Sequence, residues 1–376
     1  MTQRHWPACP RHAPRSDGSL GIASAGARIA GAMNRRTFLR TGARTVVGAA
    51  AIAAGSGWLE GVRDTAAAAP AVKAAVQFGW VKTVEFAGSF IADDRGYYTS
   101  EGLDIDMLSG GPGVDVVTAI VSGKATFGCG TGAQILAKAR QQGAPIKVLG
   151  VLYQKSPLAV LSLKKSPIRT PQELLGKRVG VAAADSIPWT TWLALNHLDA
   201  SKITRVPVQF DPAPLVTGQV DAFLSFATEQ PVELQVAGVP VEFFLLADYG
   251  YASYSGCYYV LEDTLKNRRD DVVRFMRAEV RGWEANAANP SLGAKLTVEK
   301  YGKALGLSYM SQYLGNKVTV EKLMQTPVTK QHGLLWMGDA EIAANVSLFK
   351  QTGITVGPEL FTSEVLQEIY RGRNRV

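Results

Sequence analysis

Two tryptophans, two glycine-rich turns and a few acids carry most of the chemistry this sequence offers. Trp80 ends the strand-like run 72–80, and Trp189 opens a helical run just after Asp185-Ser186. Two indoles from separate parts of a chain can sandwich a planar ligand, each stacked pair contributing ~0.5–1.5 kcal/mol beyond area burial. Trp192, three residues on, reads as core. Gly110-Gly111-Pro112-Gly113 and Gly130-Thr131-Gly132 each leave a strand and enter a helix. Gly111, Gly113 and Thr131 therefore stand where free backbone N–H groups can meet a polar or anionic group. The same residues serve equally as plain turns, with Thr131 as a helix cap. Glu229 and Asp211 follow strand ends, and each suits either a ligand amino group or amidine, or the dipole of its own helix. Asp211 fits the second use better. Glu85, Ser186, Phe210, Thr228 and Tyr251 complete the candidate binding set.

Reaction chemistry has less to stand on. No Ser/His/Asp grouping, paired-carboxylate motif, CxxC or HExxH occurs, and His197 and His332 are the only histidines beyond the N-terminal segment. The expectation is a protein without catalytic residues, metal ligands or cofactor, and not an enzyme.

The elements that must position these residues alternate between short apolar runs and helical patterns, which predicts α/β architecture with mainly parallel sheets. Strands are expected at 72–80, 103–108, 125–129, 146–153, 158–163, 178–182, 206–210, 220–226 and 241–246. Helices are expected at 86–98, 114–122, 133–142, 186–198 and 229–237. Beyond residue 261 the pattern turns helical, at 270–286, 292–305, 311–318 and 337–352. This layout predicts two lobes with the second inserted in the first. Lobe 1 comprises 69–165 plus 254–376 and lobe 2 comprises 166–253, joined by two crossings that act as a hinge. Ligands in such folds lie in the crevice at the carboxyl ends of the strands.

Charge patterning separates the front of the chain from the rest. The 376 residues carry 40 Lys+Arg against 32 Asp+Glu, a net charge of +8. Residues 1–68 hold nine arginines and three acids, so +6 of that excess sits there and only +2 on the remainder. The basic balance thus says nothing about nucleic acid, which is not an expected partner. Asn34-Arg35-Arg36-Thr37-Phe38-Leu39 precedes an Ala/Gly-rich apolar stretch, 46–54, and small residues near Ala67-Ala68-Ala69. A basic region, a short apolar region and a small-residue cleavage site make an export signal, whereas a membrane span needs ~20 apolar residues. The paired arginines followed by Phe-Leu resemble the twin-arginine signal. No Cys follows the apolar region, so no lipid anchor is expected. Met33 lies just ahead of the motif, so an over-long start over residues 1–32 is expected. The mature protein is expected outside the cytoplasmic membrane, with Cys129 and Cys257 as buried free thiols.

Phe78-Gly79-Trp80, Gly96-Tyr97-Tyr98, Glu101-Gly102-Leu103-Asp104, Gly110-Gly111-Pro112-Gly113-Val114-Asp115, Val121-Ser122-Gly123-Lys124-Ala125 and Asp221-Ala222-Phe223 occur in this order. Together they resemble the sulfonate/nitrate/taurine-binding and thiamine-pyrimidine-synthase-like family, over essentially the whole mature chain. The resemblance implies a two-lobed type II periplasmic binding protein, a monomer that captures a small solute and delivers it to an ABC permease. The family's enzymes use a sacrificial histidine after the first strand, and the corresponding position here is Phe86. A planar heteroaromatic solute, such as a thiamine pyrimidine precursor or a flavin, fits the aromatic residues best. A sulfonate, nitrate or other small anion is the alternative, as is an exported enzyme or a sensor on the same fold.

Overall fold

The computed structural model describes residues 70–376; the export signal and the start at Met33 lie outside the described residues. Ten strands follow one another: β1 (Val72–Phe78), β2 (Leu103–Leu108), β3 (Phe127–Thr131), β4 (Ile146–Tyr153), β5 (Leu158–Leu163), β6 (Arg178–Ala182), β7 (Thr204–Val208), β8 (Ala222–Phe226), β9 (Val241–Leu245) and β10 (Ser255–Leu261). They form two five-stranded sheets, ordered β2-β1-β3-β10-β4 and β7-β6-β8-β5-β9. Both sheets are mixed. In the first, β10 runs antiparallel to β3 and β4; in the second, β5 runs antiparallel to β8 and β9.

β5 corrects the expected lobe boundary. The sequence layout places it in lobe 1, which would end at 165, yet it is an interior strand of the second sheet and the chain passes between lobes at 154–157. Its sequence, Leu-Ala-Val-Leu-Ser-Leu, is apolar on both faces, as an interior strand requires. Chain order alone cannot tell which of two adjacent sheets such a run joins. The return passes between β9 and β10, at 246–254.

β4 is equally apolar although it lies at an edge. The C-terminal part of the chain covers it: Val151 N–H donates to Leu335 O at 3.0 Å, and Thr362 N–H to Val148 O at 2.9 Å. An edge sealed in this way tolerates an apolar sequence that an open edge would not.

The helices beyond β10 pack on the first sheet. The longest, Arg269–Ala288, buries Val272, Val273, Phe275, Met276, Ala278, Val280 and Trp283 at helical spacing. The helix expected over 292–305 is shorter, Pro290–Leu296, because the chain widens into a π turn at Thr297–Tyr301, closed by Gly302 N–H on Thr297 O. Helices at Glu262–Asn267, Pro327–His332 and Glu364–Tyr370 escaped the sequence reading. At six or seven residues each they show too little periodicity to detect.

One carboxylate is buried in the core of lobe 1. Glu279, fully inaccessible, accepts hydrogen bonds from Ser89 Oγ at 2.8 and 2.9 Å, from Tyr98 OH and from Tyr258 OH at 2.9 Å. Trp283 Nε1 donates in turn to Tyr258 OH at 2.7 Å. Cys129 and Cys257 are both free and buried. Among the described residues no helix is long and apolar enough to cross a membrane, and no cluster of three or more His, Cys, Asp or Glu is placed to hold a metal ion.

Candidate ligand-binding cleft

A cavity of about 370 Å³ opens between the two sheets, and turns at the carboxyl ends of strands from both lobes line it. From lobe 1 come Gly79 and Trp80 after β1, Glu85 in the short turn Val84–Phe86, residues 111–117 after β2, Gly130 and Thr131 at the end of β3, and Gly132 and Gln134 just beyond it. From lobe 2 come Asp185 and Pro188 after β6, Phe210 after β7, Ser225 and Phe226 of β8, and Glu229 and Gln230 beyond it. Tyr251, Ser253 and Tyr254 on the return crossing complete the wall.

Trp80 and Phe210 meet across the mouth, edge to face, with ring centroids 4.4 Å apart and planes at 67°. Each is half-buried. Phe210, not Trp189, is the aromatic partner of Trp80, which corrects the expected tryptophan sandwich. Trp189 is 2% exposed and packs against Trp192 at 5.8 Å in the core of lobe 2. The cause is helical periodicity: residues three apart on Ser186–Leu195 share a face, so both indoles turn to the same core. Pro188 and Asp185 reach the cavity instead. Ser186 also lies off it, its Oγ donating to Ala183 O at 2.6 Å and accepting from Arg205 at 2.7 Å. Thr228 is buried beneath the cavity and does not line it.

Glu85, Gly111, Gly113, Thr131, Glu229 and Tyr251 do line the cavity. The glycine-rich turns have a structural role of their own. Gly111 and Gly113 adopt φ 140° and 78°, conformations that side-chain-bearing residues avoid, so they serve the turn itself. The helix they lead into, Val116–Val121, is capped by Asp115, whose carboxylate accepts Thr118 N–H at 3.0 Å and Thr118 Oγ–H at 2.6 Å. Those hydrogen bonds hold the Asp115 carboxyl below its ordinary value. At the second turn Gly132, not Thr131, is the N-cap of Ala133–Gln141, and Ala133 N–H donates to Tyr254 O at 2.9 Å. Thr131 Oγ lies 3.3 Å from Tyr259 OH.

The electrostatics are one-signed. Asp115, Asp185, Glu85 and Glu229 line the cavity, and among the described residues no Lys, Arg or His lines it. Burial pushes the Glu85 carboxyl well above the usual carboxylate range, and the Glu229 charge opposite pushes it further. Glu229 is pushed up to about 7, first by burial and then by Glu233 and Asp185. Burial alone raises Asp185 to about 6.

Gln134 escaped the sequence reading, although it stands two residues inside a helix that begins at the cleft. Its Nε2 donates to Thr191 Oγ in lobe 2 at 3.0 Å, and its Oε1 accepts from Tyr251 OH at 2.8 Å. Trp80–Phe210 and Gln134–Thr191 thus join the lobes at two places beside the cavity.

The family model described as NMT1/THI5 like matches residues 83–292. The riboflavin-binding protein RibY of Chloroflexus aurantiacus is 26% identical over 324 residues, covering 80% of this chain and 89% of that protein. The 4-amino-5-hydroxymethyl-2-methylpyrimidine phosphate synthase of Uromyces fabae is 28% identical over 238 residues, 58% of this chain and 68% of that protein. Among solved structures, the periplasmic aliphatic sulphonate binding protein SsuA from Escherichia coli superposes with a TM-score of 0.59 at 15% identity. That match covers 80% of this chain and 99% of the other and speaks to the fold.

Proposed function

The chain belongs to the NMT1/THI5-like family, and from that premise we propose that it is an extracytoplasmic solute-binding subunit of an ABC importer. It captures a small planar heteroaromatic solute, a thiamine pyrimidine precursor or a flavin, by closure of its two lobes. The observation that carries this reading is the cavity wall, with two aromatic side chains at the mouth, four carboxylates and no cation. A carboxylate whose protonated form burial favours can both donate to a ring nitrogen and accept from an amino or imide N–H. Heteroaromatic rings display these groups along one edge. An anion brought into this poorly solvated space loses its hydration and finds no cationic side chain among the lining residues to replace it, which costs it affinity. Sulfonate and nitrate therefore fit this wall badly.

The relatives support the same class of ligand, since one is named for riboflavin and another for a pyrimidine phosphate. Their names span binding protein and enzyme. The binding reading rests on the cavity wall, which contains neither His nor Cys. Phe86, at the position implied for the sacrificial histidine, is fully buried and stacked on Phe78 at 4.1 Å.

Thermal-shift titration tests the proposal. Riboflavin or 4-amino-5-hydroxymethyl-2-methylpyrimidine raises the melting temperature by several degrees, because a ligand at ~100 times its Kd stabilises by about 2.7 kcal/mol. Ethanesulfonate and nitrate leave it unchanged. Stabilisation by ethanesulfonate alone would sink the heteroaromatic reading.

A further inference from the structure

We propose that Gln312 and Gly315, on the helix Tyr309–Val318, are positioning residues that set the separation of Glu85 and Glu229 across the cleft. This rests on the binding role of the cavity and adds a part of the molecule that does not line it. Glu85 and Glu229 come from opposite lobes, so their spacing depends on how far the lobes close. The helix touches the backbone that carries each of them. Gln312 Oε1 accepts Val84 N–H at 2.8 Å in a buried contact, and Val84 opens the turn that presents Glu85. One turn further along, Gly315 lies against the carbonyl of Thr228, the residue just before Glu229. A Cβ at Gly315 would stand 2.3 Å from Thr228 O, with no flexible side chain to give way. Residues three apart share a helix face, so one face bears on both turns.

The helix is itself fixed to lobe 1. Asn316 and Asn286 exchange hydrogen bonds at 2.9 and 2.8 Å, and Asn316 Nδ2 also donates to Pro290 O at 2.8 Å. Ser308 caps the helix through Ser311 N–H at 3.3 Å. A helix anchored in lobe 1 that stops the backbone of lobe 2 at a fixed approach acts as a spacer. Without a side chain at 315 the lobes approach far enough for Trp80 to reach Phe210. With one, Thr228 retreats by about 1 Å to regain ordinary contact distance, and Glu229 and Phe210 retreat with their lobe.

Gly315→Ala, Gln312→Ala and Gln312→Glu test this. Riboflavin and 4-amino-5-hydroxymethyl-2-methylpyrimidine serve as ligands, and small-angle scattering of the ligand-free proteins reports lobe closure. Gly315→Ala is expected to enlarge the radius of gyration and weaken binding by about tenfold, equivalent to 1.4 kcal/mol. It also moves the pH midpoint of binding downward, because Glu85 and Glu229 repel less when further apart. Gln312→Ala, which adds no volume, gives a similar loss, and Gln312→Glu, which keeps an oxygen acceptor, restores most of it. Should Gly315→Ala fail to fold, the Gln312 pair carries the test. A wild-type protein that binds neither ligand refutes the proposed function, while scattering still decides the spacer. An unchanged radius of gyration in both alanine variants, or an unchanged pH midpoint beside weakened binding, overturns the proposal.

Discussion

Trp80→Ala weakens capture of the heteroaromatic ligand by about 10–100-fold and shifts the melting temperature of the free protein little. The indole is half-buried, lines the cavity and meets Phe210 edge to face at 4.4 Å, so it is placed to contact a ring entering the cavity. Losing an aromatic partner of a bound ring removes both buried area and the ring–ring term, ~1.5–3 kcal/mol together. At 1.4 kcal/mol per tenfold, that is the loss stated. Trp80→Phe keeps most of the affinity. Trp189→Ala behaves oppositely, because its side chain fills the core of lobe 2. It costs ~3–5 kcal/mol of stability and leaves the affinity of the folded fraction nearly unchanged. Isothermal titration paired with urea unfolding separates the two outcomes. A Trp80→Ala protein that binds within twofold of the parent excludes this indole from the site.

The second large effect concerns stability and pH. The free protein is more stable near pH 5 than near pH 8, and Glu279 is the cause that lies outside the cleft. Burial raises its carboxyl from an ordinary 4.5 to about 7, although Tyr98, Ser89 and Tyr258 all donate to it and pull the other way. A folded-state value above the unfolded one means that the native protein holds the proton more tightly. Its stabilising contribution is therefore complete below about pH 4.5 and is lost as the pH rises towards 7. The loss is on the order of 3 kcal/mol by proton linkage. Glu85, Glu229 and Asp185 are raised too and act in the same direction. Asp115, Asp199, Asp221 and Glu359 are held below their ordinary values, so they act oppositely and only in more acid solution. Urea unfolding at several pH values measures the slope, and Glu279→Gln, which has no proton to lose, removes the Glu279 share of it. A stability that rises steadily from pH 5 to 8 would refute this assignment. Ligand bound across Glu85 and Glu229 reduces only the contribution of the cleft, so the Glu279 slope persists in the complex.

Much of the cleft was legible because it is built from strand ends. Glycine turns and a tryptophan at the carboxyl ends of recognisable strands mark a crevice wherever the sheets come to lie, and Trp80, Gly111, Gly113 and Thr131 were found that way. Phe210 and Glu229 follow strand ends in the second lobe by the same logic. Asp115 and Gln134 carry a weaker mark, because a polar residue at a helix start has ordinary capping duties. Asp115 performs that duty and lines the cavity as well. Trp189 faces the core and not the cleft because a helix of ten residues has two sides, and local sequence does not say which one faces the sheet. The spacer helix carries no mark at all. Gly315 and Gln312 acquire meaning only beside Thr228 and Val84, which lie 87 and 228 positions away in the chain.

Sequence by itself determined the α/β class, the order of the elements, the strand-end loops that carry the candidate residues, and the confinement of the basic charge to residues 1–68. Each of these is a local property, written in periodicity, in turn residues or in a count of charges. Tertiary structure alone decided that β5 belongs to the second sheet, that Phe210 and not Trp189 faces Trp80, and that four carboxylates share one cavity without a cation. Those are facts of proximity between distant segments. Side-chain facing and charge environment depend on which surfaces burial brings together, and pairwise distance is not encoded in any single stretch of chain.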